Sequence, residues 1–282
     1  MQIPLWYRIA SRVRGLTAVL GPAIVLIAVI VGLTGAGGPL APSLATVGIV
    51  LVVLALALSL APYKPVIAPG TAASPIRGPW LPLNSPDAKV PSHGTHSNGQ
   101  TFAIDLVYDP GAVRRVGSGS AEKPRPAFGE GKGFRPPTDF PAYGQAIYAP
   151  AFGQVVAVRD SARDHLSRSN WLAFGYLLIE GSLRELAGSR FLLGNHVVVD
   201  VGGGCFAVLA HLKRGSVAVK PGDRIEEGQR LAECGNSGNT TEPHVHFQLM
   251  DSRYPAIAAG VPFAFAFTGI RAASTTTAQH GA

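Results

Sequence analysis

Hydrophobic positions follow two regimes along the chain. From Gly15 to Tyr63 there is no Asp, Glu, Lys, Arg or His, a run of 49 residues, whereas one helical crossing of a bilayer needs ~20. The turn-rich stretch Thr34–Ser43 (TGAGGPLAPS) divides the run, so it predicts a two-helix transmembrane hairpin with spans 16–33 and 44–60. After residue 90 the pattern changes to short alternating segments bounded by Gly and Pro, the mark of strands and turns. Strands are predicted within Thr101–Tyr108 and Ala146–Val158. A hairpin follows, Val197–Val201 and Cys205–Ala210 around Gly202-Gly203-Gly204, then His244–Met250 and a late packing strand in Val261–Phe267. Trp171–Leu186 breaks this β pattern with helical length and apolar content, Ser169 offering a cap. It either covers an edge of the core or lies against the bilayer near the site as a lid.

The expected fold is therefore mainly antiparallel β with a helical insertion at 159–193, preceded by the transmembrane hairpin. Its parts are a basic N-terminal segment 1–15, the hairpin 16–61, a Pro-rich extended linker or wrapping arm 62–90, a domain 91–270 with an exposed loop at Gly117–Pro137, and a flexible tail 271–282.

Composition narrows the class. With 47% hydrophobic and 15% charged positions in 282 residues, the chain folds rather than staying disordered. All 17 acidic residues lie after position 61, and Arg8, Arg12 and Arg14 are the only charges before it. Arginines ahead of the first span favour a cytoplasmic N-terminus, and two crossings would return the chain to that side. The remaining positive excess is spread out, with no basic stripe interleaved with aromatics, which leaves nucleic acid without support and an acidic surface as the compatible partner. Cys205 and Cys234 make no disulfide scaffold; a single bridge between them stays open.

The candidate chemistry is concentrated in histidines. His244-Val-His246 places two imidazoles on one face of a strand, about 7 Å apart along it. Asp105, flanked by Ile104 and Leu106 in a strand, needs a partner or a cleft, and a metal would supply one. His93 and His96 lie upstream in Ser92-His-Gly-Thr-His96, a loop able to return an imidazole beside Asp105. One His, one Asp and one strand His leave a fourth tetrahedral position open, as in catalytic zinc sites. His211 ends the strand Cys205–Ala210, where alternation puts it on the face of Ala207 and Leu209. His196 reads as a strand-start histidine and His165 as loop surface.

Four segments in order, Phe206-Ala-Val-Leu-Ala-His-Leu212, Val219-Lys-Pro-Gly-Asp-Arg-Ile225, Gly228-Gln-Arg-Leu-Ala-Glu-Cys-Gly-Asn-Ser-Gly238 and Glu242-Pro-His-Val-His-Phe-Gln248, resemble lysostaphin-type zinc endopeptidases, which hydrolyse peptidoglycan. A weaker match runs back through Gly153–Ala157, Ile147–Pro150 and Ala103–Asp105 to about residue 93. The resemblance implies that Asp105 and His246 are zinc ligands and that His211 and His244 are unliganded catalytic histidines. The third ligand is then His93 or His96; here they precede Asp105 by twelve and nine residues where many members have four, and Ser-His-Gly-Thr resembles the longer-loop variants, which favours His93.

The implied function is a membrane-anchored zinc metalloendopeptidase that cuts peptide bonds of peptidoglycan with a zinc-activated water. Its partners would be wall peptides and the lipid bilayer, and no residue pattern specifies a protein partner. It would be a multi-pass membrane protein whose catalytic domain is extracytoplasmic by function, against the arginine placement. Two rivals remain: a metal-free binding or regulatory module of the same fold that recruits a wall-remodelling partner, and an enzyme facing the cytoplasm with another substrate.

Overall fold

A computed structural model describes residues 5–35, 38–61, 67–68, 70–111 and 124–266. The expected tail 271–282 and the first part of the 117–137 loop lie outside the described residues.

Two apolar helices come first, α1 (Leu5–Leu33) and α2 (Leu40–Leu60), both long and apolar enough to cross a membrane. α1 starts well before the expected span, because its first ten residues continue the helix past Arg12 and Arg14. The helices pack where Gly21 meets Gly48. A Cβ on Gly21 would stand 2.8 Å from Val52 Cγ2 and 3.0 Å from the Gly48 carbonyl, and one on Gly48 2.9 Å from the Gly21 carbonyl. Small residues let the two backbones approach, the usual basis of helix pairing without a hydrophobic driving force.

The domain is built on a mainly antiparallel sheet. Its strands are β2 (Trp80–Leu83), β3 (Ile104–Tyr108), β5 (Gly153–Arg159), β6 (Asn195–Gly202), β7 (Cys205–Leu212), β8 (Arg224–Ile225), β10 (Val245–Met250) and β11 (Gly260–Val261). The order is β2-β3-β10-β7-β6-β5-β8, with β11 also on β10. Two smaller pairs flank it: β4 (Ala146–Tyr148) with β9 (Arg230–Glu233), antiparallel, and β1 (Gly70–Ala73) with β12 (Phe263–Ala266), parallel. Residues 62–90, expected as linker or wrapping arm, thus contribute two strands. Pro82 is accommodated because β2 is an edge strand with only β3 beside it.

Period-two alternation sorts the sheet's two faces. Val245, Phe247 and Leu249 of β10, with Ile104, Leu106, Val197, Val199, Ala207 and Leu209, enter the main core, where Phe247 stacks against Phe263 and Phe265. The opposite face carries Val198, Val208, Ala210 and Met250, and between them the polar residues of the site. Every residue of β3 is buried, since both faces of the sheet are covered there.

The insertion forms α3 (Trp171–Ala187) and the short α4 (Ser189–Leu193). The cap is Asn170 rather than Ser169: its side chain accepts from the Ala173 amide, and Ser169 is turned inward to bond Ser167. Past α4 the chain is squeezed against the turn 235–238. Gly238 has φ +82° and a Cβ there would stand 2.4 Å from the Leu192 carbonyl; Gly194 opposes it with φ +64°. Gly238→Ala is expected to cost about 2–5 kcal/mol through a strained left-handed residue and an overpacked backbone contact, read as a lowered urea midpoint.

Candidate metal centre

Three adjacent strands align the polar side chains. In the register of β3, β10 and β7, Asp105 is opposite His246, and His246 is opposite Ala210. The loop before β3 brings in His93. Its Nε2 lies 3.1 Å from Asp105 Oδ2, and His246 Nδ1 lies 3.0 Å from Asp105 Oδ1. One ligand-capable atom from each of His93, Asp105 and His246 falls within 4.8 Å of the others.

The outer atoms of these groups are already committed. Ser92 Oγ donates to the Ala103 carbonyl at 2.7 Å, so it accepts from His93 Nδ1 at 3.0 Å. His93 Nε2 is then a bare lone pair, buried and without a hydrogen-bond partner. His246 Nε2 lies 2.9 Å from Gln248 Oε1, and the Gln248 amide donates to the Asn98 carbonyl at 2.9 Å, which leaves Nδ1 facing the centre. Asn84 donates to Asp105 Oδ2 at 2.8 Å. Fixed tautomers with the second nitrogen anchored are what a metal-ligating histidine requires, and an orphaned buried nitrogen aimed at a carboxylate and a second imidazole fits a divalent metal such as zinc.

His96 is not part of this cluster. Its Nδ1 lies 3.1 Å from Thr101 Oγ1, and its backbone amide donates to the Ser59 carbonyl at the end of α2. The loop therefore runs from the site to the hairpin, with His93 at one end and His96 at the other.

His211 and His244 complete the group, their ring centroids 4.8 Å apart. Each donates Nδ1–H to a carbonyl at 2.8 Å, His211 to Ser237 and His244 to Glu242, so each presents Nε2. His211 departs from the alternation predicted for it. Its φ is +62° and the β6–β7 register slips beside it, Asn195 opposing Leu212 and His196 opposing Ala210. This bulge turns the imidazole from the face of Ala207 and Leu209 onto the face of Ala210 and His246.

Electrostatics separate the groups. Burial alone would raise the Asp105 carboxyl, but His244 and His93 beside it hold it well below the usual carboxylate range. Burial pushes His211 well below the ordinary imidazole value, and its histidine neighbours push the same way. Burial also lowers His93, against the pull of Asp105. His244 moves upward: burial lowers it, yet Asp105, with Nε2 at 3.4 Å, more than offsets this.

Elsewhere, His196 is a buried strand-start residue with Nδ1 on the Gly194 carbonyl. His165 is buried rather than on the loop surface, each ring nitrogen 2.8 Å from a carbonyl, of Leu166 and of Gly238. Cys205 and Cys234 are both free. Burial lowers both His196 and His165 below about 6.5. A lowered folded pKa means the unfolded chain takes up its proton first, so stability is intact above about pH 6.5 and falls as pH drops below it. In the metal-free protein His93 and His211 act the same way and His244 opposes them. The thermal midpoint of the metal-free chain is expected to be lower at pH 5 than at pH 7, and His196→Gln to shrink that difference.

A pocket of about 330 Å³ opens between Phe128, Phe140, Trp171, Phe174, Arg168 and Glu242, the residue whose carbonyl orients His244. Arg125 pairs with Glu242 on its rim at 3.0 Å through Nε.

Sequence reasoning missed Ser92, Asn84 and Gln248. Gln248 was findable, two residues beyond His246 on the same strand face. Asn84 was not, because it lies in a segment read as linker.

Fold and site together define an antiparallel β protein with a His–Asp–His centre suited to a metal and two further histidines beside it. Residues 178–257 match the family model for Peptidase family M23. The match includes His211, His244 and His246; His93 and Asp105 lie before it and reach the site through β3 and its loop. A 73-residue stretch is 36% identical to the peptidoglycan DD-endopeptidase ShyA of Vibrio cholerae, covering 25% of this chain and 16% of that protein. Among solved structures, a Pseudomonas aeruginosa protein described as peptidase M23 aligns over 70% of this chain and 53% of its own, at 20% identity and TM-score 0.33. The catalytic domain of lysostaphin from Staphylococcus simulans aligns over 46% and 86%, at 21% identity and TM-score 0.27.

Proposed function

We propose that this chain is a membrane-anchored zinc metalloendopeptidase that hydrolyses peptide bonds of peptidoglycan. The observation that carries the reading is the orphaned Nε2 of His93, converging with Asp105 and His246 Nδ1 while every outer atom of these groups is tied down. His93, Asp105 and His246 would hold the metal. Zinc there would polarise a carbonyl and lower the pKa of a water.

The chain's own groups do the rest. His211, kept neutral by burial, presents a bare Nε2 able to accept a proton. His244, drawn toward its charged form by Asp105, presents Nε2 as a donor to an oxygen gaining charge. Environments that push two imidazoles apart are a common means of dividing acid and base roles. The M23 match and the ShyA stretch support peptidoglycan as the substrate.

Both ends of the hairpin meet the domain. Tyr7 Oη donates to the Ala258 carbonyl, Arg14 pairs with Glu185, and Ser59 accepts from His96. On this reading the start of α1 and the catalytic domain share one side of the membrane. From Gly15 to Leu33 α1 rises about 28 Å, close to the ~30 Å of a hydrocarbon core. We place the domain on the outer side, where peptidoglycan lies, against the placement of Arg8, Arg12 and Arg14 before the first span.

The test is cleavage of cross-linked wall peptides by the full-length protein in detergent, metal-stripped and then reloaded with zinc, with products identified by mass. Zinc-dependent scission of a peptide bond is the expected result. No bound zinc and no scission would leave the metal-free binding module.

A further inference from the structure

Helix α3 is turned the wrong way round for water. Its charged residues Glu180, Arg184 and Glu185 all face the protein. Glu180 pairs with Arg168 and Arg184, and Glu185 with Arg14 of α1 and the Asn98 amide. The outward face carries Trp171, Leu172, Tyr176, Ile179 and Leu183, and apart from Leu178 and Leu186 the only other residues on it are Gly175, Ser182 and the terminal Ala187. Trp171 is 76%, Leu172 81% and Ile179 64% exposed among the described residues. Phe128 and Phe134 extend the surface by stacking edge-on against Trp171 and Tyr176.

Two observations say what covers it. The helix itself abuts the hairpin: Glu185, near its C-terminal end, meets Arg14, one residue before the uncharged run of α1 begins, and Leu5, Trp6 and Ile9 of α1 are exposed as well. Exposed cations also flank the helix, Lys132 in the loop beside its N-terminal half and Arg190 just past its end, the placement that suits anionic headgroups.

Resting on the membrane-anchored reading above, we infer that α3 is a bilayer-surface helix whose outward apolar face lies in the headgroup–acyl boundary of the membrane that holds the hairpin. The other face of α3 is pressed onto the site. Gly181 is so close to the turn after Ser237 that a Cβ would stand 2.9 Å from Asn239 Oδ1. The same turn supplies the Ser237 carbonyl that orients His211. Lipid contact along α3 thus fixes the site at the membrane surface, where it meets peptides of the membrane-proximal wall.

Trp171 is a built-in reporter, since Trp80 is buried in the core. The full chain carrying Trp6→Phe is reconstituted into phosphatidylcholine/phosphatidylglycerol vesicles with bromine-labelled acyl chains. We expect Trp171 emission to shift to the blue and to be quenched most by bromines about 5–10 Å below the headgroup level. The loss should vanish in Trp6→Phe/Trp171→Phe and return when Leu183→Trp moves the reporter along the same face. Protein that floats with the vesicles but shows no quenching overturns the inference while leaving the hairpin intact. A blue shift without quenching that depends on protein density assigns the face to a second copy and likewise overturns it. Failure to float with vesicles overturns the hairpin reading and the inference with it.

Discussion

Asp105→Asn is expected to abolish stoichiometric zinc binding, and peptide hydrolysis with it, while the sheet stays folded. The carboxylate bridges the two imidazoles, Oδ2 towards His93 and Oδ1 towards His246, and Asn84 steadies Oδ2 from outside. An amide keeps the volume, its oxygen at the Oδ2 position can still accept from Asn84, and its NH₂ at the Oδ1 position can donate to His246 Nδ1, so no further buried polar group is stranded. What it removes is the negative charge and one of the three proposed ligands. Affinity should fall more than about 100-fold, beyond the ~10–100-fold typical when a partner of a ligand is lost. Gln248→Met, which unties His246 Nε2 and leaves all three ligands, should fall within that smaller range. Metal analysis of the purified full-length chains, with circular dichroism for folding, reads both. Zinc retained by Asp105→Asn would mean that the metal sits elsewhere.

His211→Asn should do the opposite: zinc stays at one equivalent and kcat drops about 10²–10⁴-fold, the usual worth of a positioned proton-transfer group. The choice of Asn follows from the backbone. His211 sits at φ +62°, a left-handed position that Asn tolerates and β-branched residues do not. His211→Val should lose the same activity and a further ~1–2 kcal/mol of stability from that conformation. Comparing zinc content, kcat and urea midpoint for the two variants separates chemistry from folding. Loss of zinc in His211→Asn would contradict its placement outside the ligand set.

Much of the site was legible because it is local. His244-Val-His246 reads as two side chains on one strand face whatever the strand packs against, and Asp105 between Ile104 and Leu106 announces a buried carboxylate that must have a partner. The apolar run 15–63 likewise marks two long helices, since length and absence of charge suffice. The start of α1 was not legible: the arginines that end the hydrophobic run do not end the helix, because Arg14 finds Glu185 across the fold.

The remainder is non-local. His93 and His96 are both loop histidines three residues apart, and only the turn that seats Ser92 under the Ala103 carbonyl sends one into the site and the other to α2. His211 needed a bulge, which breaks the very alternation used to assign its face. Asn84 acts only because an edge strand forms in a proline-rich stretch. Sequence by itself determined which residue types could bind metal and which segments avoid water, since both depend on side-chain chemistry and short-range period. The tertiary structure alone decided which histidines meet Asp105 and which face of α3 looks outward, since those depend on how loops fold back and on contacts between residues far apart in the chain, such as Asp105 with His246 and Arg14 with Glu185.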